Sequence, residues 1–560
     1  MESDSSDEEF LDSSSGSEPD ENPDELSEEE DENEENDGMD VDRNGDMVSR
    51  SGISWSRDEP HIRQTPRHNI IREGKSIPRH ARNNQTILEA FNKFFTPNMK
   101  EICVRYTNQK GYMIKGDDWK DTDVIEFDAY VGLLFLMGQW KSKFLPLQEL
   151  WNADEGHPHF RATMSKERFK NLTRFCRFDD ALSRDDRRKV DKLSPIRDLW
   201  ELLQGNLHRN YVPSDSLCVD EQMKPTRGRC SFRQYIKGKP DKFGIKFLWN
   251  ADCVNFYPLR GEVYIGAQPH ETKAEAAMRN KPTAVVMRLT QPWQKKGRSI
   301  TGDNLFGDFQ LATDLIANQT GCVFTMRMNK PQIPPEMLPN KNRPVYSSVY
   351  GFNNMVTLVS YVPKRNKAVV VLDTVNHEIA IEPGDKQLPQ SIALYNVTKS
   401  GVDGLNKMLK TYSVQRKVQR WPMVVFFNVV DLCGYASFII WSEDHPNWEE
   451  NKKDKRRLFL KALGNELIRP HIDRRSQNPR SMQKNVRKAM NRMGIAVAER
   501  HRPERPEHAD TRTRCKLCPY QQNDTKYSTK CGECSMVVCP QHHFIICDNC
   551  WDEPIEEEEE

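Results

Sequence analysis

Leu217-Cys218-Val219-Asp220-Glu221-Gln222-Met223 is a short run rich in apolar and β-branched residues, broken in the middle by a carboxylate. From Ser216 onward such runs read as strands. A carboxylate at the end of an apolar strand is costly unless its charge is compensated, and a divalent cation compensates it effectively. Working outward, Gly244 to Asn250 and Glu262 to Gly266 read as further strands, with turns at Asp252 to Asn255 and at Arg260-Gly261. Thr272 with Glu275 forms a capping box ahead of an Ala-rich helix. Ala284 to Leu289 and the run ending at Asp303 then read as strands, Phe309 to Asn318 as a helix and Cys322 to Met328 as a strand. The expected product is a mixed α/β layer.

On the N-terminal side the period changes. Ile87, Leu88, Phe91, Phe94 and Phe95 recur at helical spacing, Phe127 to Trp140 is apolar enough for a buried helix, Ser165 opens another, and Ile196 to Leu207 is a fourth. Beyond the layer, residues 329–392 begin Pro-rich and carry strand-like runs at Met355 to Tyr361 and Ala368 to Leu372, a β-rich insertion. Helix is expected again from Gly401 to about Tyr412 and from Trp421 to Trp441, and a basic stretch runs to Arg514. No internal repeat is evident. The longest strongly apolar stretch, Val131 to Met137, is far too short to span a bilayer, and the N-terminus has no signal-sequence pattern, so no membrane partner is expected.

The near-neutral formal charge of -1 hides a segregation. Residues 1–46 hold 22 Asp/Glu against one Arg, and residues 552–560 hold seven Asp/Glu. The body between them carries a surplus of 27 positive charges. The acidic N-terminal tail has too little apolar content to offset chain entropy and reads as disordered, and residues 47–84 read as a basic linker. A basic body of this size points to a polyanionic partner, because phosphate neutralisation releases counterions; a merely solvated surface is the plainer alternative.

Three acids sit at element edges: Asp220, Asp303 in Ile300-Thr301-Gly302-Asp303-Asn304, and Asp403 in Lys399-Ser400-Gly401-Val402-Asp403. Magnesium needs few protein carboxylates, since waters and phosphate oxygens complete its shell, and two such ions assist in-line displacement at phosphorus. By spacing alone this pattern arises by chance among 83 acids. Beside Asp220 lie Arg227, Arg229, Arg233, Lys237, Lys239, Lys242 and Lys246, interleaved with Phe232, Tyr235 and Phe243. This is a pattern suited to holding nucleic acid or, more plainly, a solvated hairpin. Arg416, Lys417 and Arg420 are further candidates for DNA contact, and Lys452 to Arg457 reads equally as a nuclear import signal.

Half of the 14 cysteines are scattered singly among apolar residues, as buried thiols in a reducing compartment are. The rest crowd into Cys515-x2-Cys518, Cys531-x2-Cys534, Cys539-x2-His542 and Cys547-x2-Cys550. Eight ligands make two closed, structural tetrahedral zinc sites. The intervals suggest a cross-brace, with pairs one and three on one Zn2+ and pairs two and four on the other; the two-residue gap favours His542 over His543. A finger of this kind serves equally as a ubiquitin-ligase RING, a histone-tail reader or a DNA-end reader.

The stretches Val219 to Gln222, Arg227 to Arg233, Lys239 to Lys246, Ile300 to Asn304 with Phe306, and Tyr395 through Asp403 closely resemble the piggyBac transposase family. So do Arg416-Lys417, Arg420-Trp421-Pro422-Met423, Met164 to Phe169 and Arg177 to Asp180, in the family's order across roughly residues 85–550. The resemblance implies a multidomain α/β chain with an RNase H-like core, 215–328 and 393–412, split by the β-rich insertion 329–392. A helical dimerisation and DNA-binding domain, 85–214 and 413–495, would flank it, followed by a basic linker at 496–512 and a cysteine-rich finger at 513–551 that recognises transposon ends. It further implies Asp220, Asp303 and Asp403 as ligands for two Mg2+ or Mn2+ ions. Excision would proceed through hairpinned ends, with integration into double-stranded DNA at TTAA, in a nuclear homodimer. One departure stands out: family members often carry a fourth acid where this chain has Asn406, which shares a helical face with Asp403 and can offer an amide oxygen but no charge. A domesticated, non-catalytic DNA-binding or chromatin protein is therefore the alternative.

Overall fold

The computed structural model describes residues 45–237, 242–478, 482–497, 508–518, 525–530 and 536–542. The acidic N-terminal tail expected to be disordered falls almost wholly outside them, as do residues 552–560. At the centre lies a nine-stranded mixed sheet. In chain order its strands are β1 (Ser216–Pro225), β2 (Gln234–Tyr235), β3 (Phe243–Asp252), β4 (Pro258–Val263), β5 (Ser299–Gly302), β6 (Gly321–Thr325), β7 (Ser348–Asn353), β8 (Val356–Lys364) and β9 (Lys367–Asp373). Strand β1 is the pivot. It runs antiparallel to β3 from Leu217↔Asp252 to Pro225↔Gly244 and parallel to β5 from Ser216↔Ser299 to Val219↔Gly302. Strand β4 joins β3 antiparallel and β6 joins β5 parallel, giving the order β4-β3-β1-β5-β6. Parallel neighbours require crossover connections, which here are helical.

Among the helices are α1 (Val124–Gln139), α2 (Lys166–Phe175), α3 (Pro282–Thr290), α4 (Gln390–Thr398), α5 (Gly401–Thr411), α6 (Trp421–Asp444) and α7 (Lys455–Ser476). The capping box at Thr272 and Glu275 forms as expected and starts the Lys273–Asn280 helix. The next expectation does not hold: Ala284 to Leu289 lies within α3, not a strand. Pro282 occupies the first helical turn, where its fixed φ is favourable, and Val285, Val286 and Leu289 fall on one buried helical face. A short apolar run has no period long enough to separate the two alternatives.

Residues 329–392 also differ from the expected insertion. Strands β7 to β9 do form, but β9 pairs with β6 through Val371↔Thr325 to Asp373↔Val323, so they continue the central sheet. The expected linker at 47–84 is largely a packed strap. Its hairpin, Met47–Val48 with Ser54–Trp55, buries Met47 and Trp55, and Ser56 bridges to Phe352 on β7. Further along, His68 Nε2 lies 2.7 Å from the Thr374 carbonyl, and fully buried Arg298 donates to the carbonyls of Glu73, Pro213 and Ser214. Partners hundreds of residues away leave no period in the local sequence.

Helix α6 corrects the reading that no segment is long and apolar enough to cross a membrane. Its 24 residues pass that test by length and composition, but 94% of the most apolar window is buried inside the protein. A core helix buried all round lacks the polar stripe of a surface helix. Within this core Lys224 of β1 pairs with Asp431 of α6 at 3.3 Å, with side chains 8% and 3% exposed. Asp431 also accepts from Ser413 Oγ at 2.7 Å and Val414 N at 2.8 Å. Burial raises the Asp431 pKa even against these partners.

Asp431→Ala leaves a buried ammonium unpaired and should cost about 3–5 kcal/mol. Urea denaturation measures this, and the double variant Lys224→Met/Asp431→Leu should recover most of it. A second expectation concerns pH. Burial holds His159, His377 and His471 near a pKa of about 4, below the usual 6.5. The unfolded chain therefore binds protons that the native state refuses between those values; their contribution is fully present above about pH 6.5 and is lost as pH falls toward 4. Asp431, with its raised pKa, works in the opposite sense. The urea midpoint of a His159→Gln variant should accordingly fall less between pH 7 and pH 5 than that of the native protein.

Candidate functional site

Asp220 follows the last registered pair between β1 and β5, Val219↔Gly302, and Asp303 follows Gly302. The two acids thus occupy equivalent positions on adjacent parallel strands, whose spacing is about 4.8 Å. Asp220 Oδ1 accepts from Glu221 N at 2.7 Å, and Asp303 Oδ1 accepts from Leu305 N at 3.0 Å. Glu221, which strand alternation sends to the opposite face, pairs with Lys246 at 2.5 Å.

The third acid comes from α5, which rests on β1. A Cβ on Gly401 would stand 2.5 Å from Cys218 Cβ, so only glycine permits this approach. Cys218 Sγ donates to Lys399 O and Cys253 Sγ to Thr398 O, both at 3.2 Å, while Thr301 Oγ1 donates to Thr398 Oγ1 at 2.8 Å. These bonds tie the α4–α5 junction to β1, to the end of β3 and to β5. Asp403 falls in the first turn of α5, where the helix dipole favours an anion. One turn on, Asn406 Nδ2 reaches the Glu221 carbonyl at 3.5 Å, and its Oδ1 is buried with no hydrogen-bond partner.

Two neighbouring groups register the charge of these acids. Burial pushes the Cys218 thiol up to about 12, with the negative charges of Asp220 and Asp403 adding to the shift. Burial likewise raises Tyr395, with contributions from Asp303 and Asp220. Asp220 and Asp303 thus lie on adjacent strands and Asp403 on the helix packed against β1, and carboxylate and amide oxygens are donors of the kind hard divalent cations take. They stand more widely than the sulfur cluster described below, which among the described residues is the set whose ligand atoms all lie within 4.8 Å.

The basic residues divide. A Cβ on Gly228 would clash with Gln419 O at 1.6 Å, Gln415 Nε2 donates to Pro225 O at 3.1 Å, and Phe232 meets Trp421 edge-on at 4.9 Å. The loop after β1 and the segment before α6 are therefore one surface. On it Arg227, Arg229, Arg233 and Lys417 are exposed, as are Lys237 and Lys242 nearby, although Arg233 also donates to the carbonyls of Arg227 and Gly228. Three of the expected DNA contacts are committed inside the protein instead. Lys246 neutralises Glu221; Arg416 donates to the Ser142 and Leu145 carbonyls; Arg420 caps the C-terminal end of α2 through Thr173, Arg174 and Cys176 carbonyls. Residue type alone does not distinguish a guanidinium that binds carbonyls from one that binds phosphate. Lys239 lies outside the described residues.

At the C-terminal end the His508–Arg514 and Lys526–Thr529 strands form a ribbon beside a second site. His542 Nδ1 lies 3.5, 3.5 and 3.3 Å from the sulfurs of Cys515, Cys518 and Cys539, and Cys518 and Cys539 sulfurs are 3.6 Å apart. A tetrahedron about zinc with bonds of about 2.0–2.3 Å has edges of roughly 3.5–3.8 Å, so the four ligands fit. Burial opposes ionisation of Cys515, yet hydrogen bonds from the backbone and from His542 lower its thiol, while burial and the neighbouring Cys539 and Cys515 raise that of Cys518. The structure thus joins pairs one and three, as the intervals suggested. Cys531, Cys534, Cys547 and Cys550, with His543, lie outside the described residues.

Residues 87–438 match the family model described as Transposase IS4. The chain belongs to this family, in its piggyBac type. The human PiggyBac transposable element-derived protein 3 is 22% identical over 484 residues, covering 80% of this chain and 76% of the relative. The human Chimeric ERCC6-PGBD3 protein matches at the same identity, but the match spans only 42% of its length. Among solved structures, a cryo-EM structure of the piggyBac transposase synaptic complex with hairpin DNA superposes with a TM-score of 0.70 at 29% identity, covering 85% of this chain and all of that one.

If the four-ligand cluster holds zinc, Cys518→Ala should lower bound zinc by one equivalent per chain in metal analysis, while the main unfolding transition of the sheet stays in place. Unchanged zinc content in the variant would remove this site.

Proposed function

We propose that the protein is a metal-dependent DNA transposase that excises through hairpinned ends and integrates at TTAA in the nucleus, acting as a homodimer. The order β4-β3-β1-β5-β6, three antiparallel strands and then two parallel ones, supports reading the centre as an RNase H-like core. The observation that carries the reading is that Asp220 and Asp303 hold equivalent positions on adjacent parallel strands while Asp403 lies in the first turn of the helix packed on β1. Their carboxylates would hold a pair of Mg2+ or Mn2+ ions. When bound, such a pair activates the attacking oxygen and stabilises the leaving one during in-line displacement at phosphorus. Asn406 would orient a water or a ligand oxygen through its orphaned Oδ1 without adding charge. The exposed Arg227, Arg229, Arg233, Lys237, Lys242 and Lys417 would grip backbone phosphates next to the acids. The helices on either side of the sheet would form the dimerisation and DNA-binding part, and the finger, with Arg512 and Arg514 on the strand leading into it, would recognise transposon ends.

A second reading is favoured by one observation, the amide in place of an acid at Asn406. In it the chain is a domesticated DNA-binding or chromatin protein that keeps the fold without the chemistry. A plasmid excision assay with matched ends separates the two. In the transposase reading the native protein yields excised product, Asp303→Asn abolishes it with end binding intact, and Asn406→Asp maintains or raises it. Binding without excision by the native protein would establish the second reading.

A further inference from the structure

Phe144 is 90% exposed, the most exposed large apolar side chain among the described residues. A single exposed apolar residue needs no explanation by itself. What sets Phe144 apart is the backbone beneath it, which is pinned from several sides. Buried Ser142 bonds back to the Met137 carbonyl through both N and Oγ, each at 3.0 Å, and Leu145 N returns to Ser142 O at 3.1 Å. Lys141 takes a left-handed φ of 54°, and Trp140 stacks on His157 at 3.8 Å. Arg416, half buried, spans the loop by donating to the carbonyls of Ser142 and Leu145, the residues on either side of Lys143 and Phe144. The clamp presents the ring on a fixed base, so little ordering cost remains when it meets a partner.

The surroundings indicate the partner. Lys143 Nζ lies 5.7 Å from the Phe144 ring centroid, Lys141 is exposed beside it, and exposed Lys417 follows the clamping Arg416. The loop also abuts the end of the helix that carries Asp403. A Cβ on Gly138 would stand 2.5 Å from Tyr412 O, and Lys141 Nζ lies over the Tyr412 ring at 5.8 Å. From Asp403 to that end of α5 is roughly 12 Å at 1.5 Å per residue.

We propose that Phe144 is a base-stacking wedge: on DNA held at the aspartates, its ring enters the base stack nearby, while exposed Lys141 neutralises a flanking phosphate. An aromatic ring accepts any base face, and wedges of this kind unstack a step and bend the duplex. The inference rests on the DNA reading above and adds to it a contact point and a deformation.

The test uses the full chain and a duplex with a central TTAA in which 2-aminopurine replaces single bases at successive positions. Native protein should raise 2-aminopurine fluorescence at one step. Phe144→Ala should lose that signal and bind about tenfold more weakly, with the salt slope unchanged because the phosphate contacts remain. Phe144→Trp should retain both signal and affinity. Normal binding with an unaltered fluorescence pattern in Phe144→Ala would overturn the wedge alone, as would a variant that changes only the oligomeric state in light scattering, which would assign the ring to a contact between copies. No binding of the duplex by the native chain would overturn the DNA reading and the wedge with it.

Discussion

Everything at the site depends on how closely α5 can lie on β1. Gly401 meets Cys218 at a distance that a side chain would forbid, and the two thiols of Cys218 and Cys253 hold the carbonyls of Lys399 and Thr398 just ahead of it. This contact joins parts of the chain 181 residues apart. Without it, Asp403 would be one acid on an amphipathic helix. With it, the first turn of that helix places Asp403 over β1, the strand that carries Asp220 and runs beside the end of β5 that precedes Asp303.

The acids around this place are sorted by their partners. Asp431 is satisfied by Lys224, Ser413 and Val414, and Glu221 by Lys246. Asp252, fully buried at the end of β3, accepts from Tyr211, from Ser214 N and Oγ, and from Val254 N. Internal donors thus account for the acids that shape the core. Asp220, Asp303 and Asp403 come from three neighbouring elements, and their charges add to the raised pKa of Cys218 and of Tyr395.

The basic side chains are sorted by the same principle. Arg298, Arg416 and Arg420 each satisfy several backbone carbonyls, a task for which a planar, multi-donor group is suited and a lysine is not. They hold the strap, the Phe144 loop and the end of α2 in place. The positive charge on the surface belongs to others, among them Arg227, Arg229 and Lys417, which the close approach of Gly228 to Gln419 collects into one area. A surplus of 27 positive charges in the body therefore overstates the charge available to a polyanion.

Local sequence determined the elements with a long period or a fixed punctuation: α1, α5, the capped helix at Lys273–Asn280, strands β1 and β3, and the ligand pairs of the finger. It failed where the signal was short or absent, at α3, whose helical start rests on Pro282, and along the strap, whose anchoring contacts beyond its own hairpin are distant. It also divided what the sheet joins, since β9 closes on β6 by hydrogen bonds that leave no mark in composition. By itself the sequence named Asp220, Asp303, Asp403 and the zinc-type ligands, because donor chemistry is written in residue type and spacing. Only tertiary structure decided which of them meet and which arginines are already occupied, because meeting depends on register and close approach between segments that know nothing of one another along the chain.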